Sequence, residues 1–146
     1  MLKPKLVNRL EKFLTENDMK GTPATTEQIA EAERILNTKF PPDYTDFITR
    51  FGGVFVGIAV HAFVNESSVG KETVIELTQS MRRSFGDGDE RREEARQSIA
   101  FADDGSGNPI LLNSKGEVVI FFHDNDEREI LAPNFGQFIE DNFEEW

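Results

Sequence analysis

Leu6, Leu10, Phe13 and Leu14 recur at i, i+4, i+7 and i+8 on a basic segment, a spacing that predicts an amphipathic helix over 4–17, ending before Gly21. This helix is expected to pack loosely. A second one is better punctuated: Thr25 with Gln28 three residues on has capping-box spacing, and Ile29, Ala32 and Leu36 then share a face. In "PPDYTDFITRFGG" the prolines suit a first helical turn, and Tyr44, Phe47, Ile48 and Phe51 repeat at i, i+3, i+4 and i+7. Gly52 is placed to end that helix in the left-handed conformation.

The run "VFVGIAVHAFV" is β-branched and aromatic, and it reads as one strand or as two broken at Gly57. Val74, Leu77, Met81 and Phe85 fall in helical register. The next segment, "GDGDERREEARQ", sets five acids against three arginines and has almost nothing to bury. It reads as an exposed loop with some helix, prone to disorder.

The last third changes period. Ser98–Ala102, Pro109–Asn113 and Glu117–His123 are short apolar runs separated by Gly- and Asn-bearing turns, which predicts antiparallel strands joined by hairpins, with Arg128–Leu131 able to pair beside them. "VVIFF" is apolar at consecutive positions, as in a central strand covered on both faces. Asn134 can cap a closing helix whose Phe135, Phe138, Ile139 and Phe143 form an apolar stripe. The expectation is a single α+β domain: a central, mainly antiparallel sheet with N-terminal helices and a C-terminal helix packed on it.

Composition narrows the function. The 146 residues suffice for one domain, and zero Cys excludes disulfides, thiolate metal sites and a cysteine nucleophile. No stretch approaches the roughly 18 to 20 apolar residues of a membrane span, and no secretory leader is visible, so a cytoplasmic location is expected. The formal net charge is -11. Residues 121–146 carry eight acids against Arg128 alone, a net of -7. Such a field repels nucleic-acid phosphates and speeds encounters with basic proteins, although acidity also serves solubility alone.

Specific chemistry is hard to find. In "DDGSGN" a calcium loop counted from Asp103 would put Gly105, Asn108 and Ser114 at its third, sixth and twelfth positions, where ligands and a glycine are needed in another order. Counting from Asp104 places Pro109 sixth and Lys115 twelfth, which is no better. A phosphate cradle would need a helix after the loop, and a strand follows. The stretch therefore reads as a β-turn. His61 and His123 have no metal-motif spacing, and no G-x-S-x-G elbow is present. No catalytic, metal-binding or cofactor-binding residue is assigned.

Two segments together resemble the SUKH superfamily, which includes yeast cell-wall assembly regulators linked to killer-toxin resistance and many bacterial immunity proteins. "TTEQIAEAERILNTKFPPDYTDFITRFGG" resembles its opening helices and Gly-Gly turn. "IAFADDGSGNPILLNSKGEVVIFFHD" with "ILAPNFGQFIEDNF" resembles its second half. The likeness covers about residues 22–143 and is weak over 60–98. Phe40-Pro41 stands where Leu-Pro is usual, Phe51 where Asn is frequent, and Asn134 where Ser is usual. Residues 1–21 then form an N-terminal amphipathic helix ahead of a SUKH-like domain over 22–146.

The resemblance implies a non-enzymatic binding scaffold, in bacteria an immunity protein that neutralises a cognate polymorphic toxin such as a nuclease or deaminase. The alternatives are a regulatory interaction protein in cell-wall synthesis signalling, or a small-ligand-binding or enzymatic α+β domain. The expected partner is a basic protein, a toxin domain, with no nucleic acid and no membrane. Asp103, Asp104, Asp124 and Asp126 are the candidate contacts, because hairpin ends project beyond a sheet and loops carry binding groups.

Overall fold

The computed structural model describes residues 1–143. Among them, four strands run in chain order as an antiparallel meander, and β1 (Val54–Phe55) and β2 (Ala59–Val60) form a separate small hairpin. The strands of the meander are β3 (Ile99–Asp103), β4 (Pro109–Leu112), β5 (Val118–Phe121) and β6 (Arg128–Ala132). All four residues of β5 are buried. The period-2 geometry of the strand divides them between two cores. Val118 and Ile120 face the larger core, and Val119 and Phe121 face the smaller. The consecutive apolar run thus marks an interior strand clad on both sides.

Helices α1 (Pro4–Glu16), α2 (Thr26–Leu36), α3 (Pro42–Phe51) and α6 (Phe135–Asn142) contribute to the larger core. Contrary to the expected loose packing, α1 buries Leu6, Leu10, Phe13 and Leu14. The reason lies at the other end of the chain: Phe13 meets Phe143, just beyond α6, edge-on at 5.3 Å, and Arg9 lies over the same ring. The chain's amino group also pairs with Asp43 at 2.6 Å, and the Leu2 N–H donates to Asp46.

Helix α2 begins with the anticipated capping box, the Thr25 hydroxyl and the Gln28 amide each satisfying the other's backbone N–H. At the end of α3, Gly52 has a positive φ of 72°, but its ψ of -155° lies outside the expected left-handed helical region. A Cβ there would stand 2.3 Å from the Thr22 carbonyl oxygen, so glycine is needed for both conformation and close approach.

After α3 come β1 (Val54–Phe55) and β2 (Ala59–Val60), the run broken at Gly57. The hairpin reaches the meander through a His61 N–H bond to the Phe101 carbonyl, 2.9 Å. The Tyr44 hydroxyl donates to the His61 carbonyl from the fully buried centre of the larger core. That burial pushes the phenol pKa far up.

The smaller core is covered by α4 (Val74–Ser84) and α5 (Arg92–Arg96). The Thr78 hydroxyl anchors α4, donating to the Val74 carbonyl and accepting from the Ala100 N–H beside the β-bulge of β3. Residues 86–97 hold some helix and are mostly exposed, as the sequence suggests, but two of their side chains are anchored in the core. They carry α5, with Ala95 fully buried, and they are fastened by Arg91, which is only 6% exposed. The Arg91 guanidinium lies over the Phe85 and Phe121 rings, 4.6 and 5.3 Å from their centroids. It also donates to the Phe122, Asn125 and Glu127 carbonyls and to Asp89. Composition hides this, because an arginine satisfied by backbone carbonyls looks in sequence like any solvated charge.

Candidate functional site

A meander places its first and third turns at the same end of the sheet, so the β3–β4 turn, 104–108, and the β5–β6 turn, 122–127, lie side by side. Asp103, Asp104, Asp124 and Asp126 are thereby gathered at one end, and all four are exposed. None of them has a cationic partner among the described residues. Some acids elsewhere are neutralised, as Glu94 is by Arg128 at 2.7 Å and Asp89 by Arg91 at 3.0 Å. The -7 of the final segment is split in space: Glu140 and Asp141 belong to α6, and Glu144 and Glu145 fall outside the described residues.

The two turns are tied together by residues the sequence reading passed over as ordinary turn formers. Asn108 donates from its amide nitrogen to Asp104, 2.7 Å, while its amide oxygen accepts the His123 N–H, 2.9 Å. The His123 ring returns the connection through Nε2 to the Ser106 carbonyl, 2.9 Å. Arg91 braces the second turn from inside through the three carbonyls it holds. The signal for Asn108 and His123 was present in the "DGSGN" and "HD" strings, but only the topology shows that they meet. Arg91 has no such signal.

Asp103 and Asp104 have different local roles. One Asp103 oxygen accepts the Gly105 N–H, closing an Asx turn. Asp104 accepts the Ser106 and Asn108 N–H groups as well as the Asn108 amide. The Asn108 side chain foremost, helped by those N–H groups, holds the Asp104 carboxyl below its ordinary 3.8, while desolvation works the other way. A depressed carboxyl pKa stabilises the fold above the unfolded value, and that contribution fades as pH falls through the folded value. Asn108→Ala should therefore move the Asp104 titration up toward the ordinary range, read by carboxyl NMR against pH. An unmoved titration would assign the depression to the backbone donors alone.

Beside this end lies a groove of about 220 Å³ between α4 and the β3–β4 turn. Its floor is apolar, formed by Leu77, Met81, Phe85 and Pro109, and its rim carries Glu72, Asp103, Ser80 and His123. Among the described residues, no group of three or more His, Asp or Glu side chains is arranged to hold a metal ion. No helix among them is long and apolar enough to cross a membrane. His61, the other histidine, is buried and bonds through Nδ1 to the Glu72 carbonyl, a structural role in the 61–72 loop.

An antiparallel meander clad by helices on both faces, with an acidic end built from two interlocked turns, defines an α+β domain with a shaped, charged surface. The chain matches the profile of the SMI1 / KNR4 family (SUKH-1) over residues 23–141, and it belongs to that family. No curated protein matches the chain.

Proposed function

We propose that this protein is a non-enzymatic binding scaffold of the cytoplasm, a bacterial immunity protein that occupies a basic toxin domain, a nuclease or deaminase, and so neutralises it. The observation that carries the reading is the convergence of Asp103, Asp104, Asp124 and Asp126 on one exposed end without internal cations. Family membership supports a protein-binding role, and the net charge of -11 supports a basic partner.

In this reading Asp103, Asp124 and Asp126 meet partner cations directly. Asp104 adds field and holds the shape of the turn, since three donors of its own loop already occupy its oxygens. The interlock through Asn108 and His123 keeps the charged end rigid, which lowers the ordering cost of binding.

The test is inhibition of a basic toxin domain, the candidate being one whose gene adjoins that of this chain. The wild type should suppress its activity, and a variant with all four aspartates replaced by Asn, shown by circular dichroism to be folded, should do so far less well. Equal inhibition by both would remove these residues from the interface. Absence of inhibition by the wild type at micromolar concentration would remove that toxin as the partner.

A further inference from the structure

We propose that the groove between α4 and the β3–β4 turn is the seat for an arginine side chain of the partner. This rests on the reading that the acidic end binds a basic protein, and it names the chemistry of the central contact. At about 220 Å³ the groove is smaller than the roughly 300 to 1,000 Å³ of small-molecule sites, a size suited to one long side chain entering from a protein surface.

The lining has the two-part character that such a side chain requires. Leu77, Met81 and Pro109 offer an apolar track for an aliphatic stem, as expected for a residue that buries its methylenes and keeps its charged head among polar groups. The lining brings two acidic residues from different elements: Glu72 precedes α4, and Asp103 ends β3. Neither has a cationic partner among the described residues. One Asp103 oxygen is taken by the Gly105 N–H, which fixes the rotamer and leaves the other for a ligand.

Arginine fits this arrangement better than lysine does. A guanidinium spreads five donors over a plane and suits a lining that offers several acceptors, here Asp103, Glu72 and Ser80, whereas an ammonium is a compact point charge. The groove adjoins the charged end, since Asp103 lines it and His123 on its rim directly precedes Asp124. Hot spots at interfaces favour arginine in such pockets, surrounded by contacts that exclude water.

The experiment is a titration of the isotope-labelled protein with N-acetyl-arginine amide, followed by amide NMR shifts, beside the lysine and citrulline analogues. The expected result is a saturable set of shifts confined to 72, 77–85, 100–107 and 123, larger for arginine than for lysine at equal concentration and absent for citrulline. The double variant Glu72→Gln with Asp103→Asn should lose them. Both side chains are exposed, so its melting temperature should match the wild type. Ser80→Trp, which fills the groove from the exposed side of α4, should abolish the shifts with both carboxylates intact. Shifts scattered over other acids such as Glu31 and Glu129, or shifts that survive these substitutions, would overturn the arginine seat. The wider reading fails separately, by unchanged inhibition in the four-aspartate variant.

Discussion

Phe135→Ala is expected to cost about 3 to 5 kcal/mol, the range for removing a fully buried aromatic ring. Phe135 is 1% exposed and is met edge-on by Tyr44, Phe47 and Phe101 at centroid distances of 5.4, 5.4 and 5.3 Å. It therefore joins α6 to α3 and to β3 in a single aromatic cluster. The neighbours that would have to collapse into the space include Tyr44, whose hydroxyl is fixed on the His61 carbonyl, so relaxation is limited and a cavity remains. For a domain of this size the loss corresponds to a fall in melting temperature on the order of 10 °C. Ile130→Ala is the matched control, because Ile130 is 49% exposed on β6 and should change stability by less than about 0.5 kcal/mol. Denaturant unfolding of both variants checks the pair. A loss below about 1 kcal/mol for Phe135→Ala would place α6 outside the cooperative core.

Arg91→Ala should be nearly as damaging, at about 3 kcal/mol, since it removes stacking on two buried rings, strips the Phe122 and Asn125 carbonyls of their donor and leaves the Glu127 carbonyl with the Phe122 N–H alone. Arg91→Lys keeps the charge but not the planar fork, and should recover only part of the loss. Acidification provides an independent check. The Arg91 guanidinium holds the Asp89 carboxyl below its ordinary 3.8, so the pair stabilises the fold above that pH and ceases to do so as pH falls through the depressed value. The acid limb of the wild-type stability curve should accordingly flatten in Arg91→Ala. Because Arg91 braces the turn bearing Asp124 and Asp126, the same variant should speed amide exchange across 122–127. Native-like exchange there would mean that the turn holds itself.

The elements with strong periodicity were legible in the sequence. The capping box of α2, the aromatic stripe of α3 and the doubly covered β5 each follow from residue spacing, because burial on one face or on two leaves a direct imprint. Two features were not legible, for different physical reasons. The 86–97 segment looked solvated because its order comes from one arginine satisfied by carbonyls that lie about thirty residues away in sequence. The burial of Phe13 on α1 involves Phe143, at the far end of the described chain, which no local pattern reveals.

The candidate site shows the same division. Turn chemistry identified "DDGSGN" as a hairpin end, and its internal hydrogen bonds match an Asx-type turn. That Asn108 would bridge to the His123 backbone, and that α4 would form a groove against the turn, depends on strand order and helix placement. The sequence offered carboxylates in two separate loops, and the meander made them neighbours.

The most direct test of the acidic end as a binding surface is the association rate with a basic toxin domain of the class proposed as its partner, measured by stopped flow from low to high salt. For the wild type the rate should be fast at low ionic strength and fall steeply as salt rises. The variant with Asp103, Asp104, Asp124 and Asp126 all replaced by Asn should associate on the order of tenfold more slowly at low salt, with a flatter salt dependence, because steering acts through the field at this face. The same rate and the same salt slope in both proteins would contradict the account.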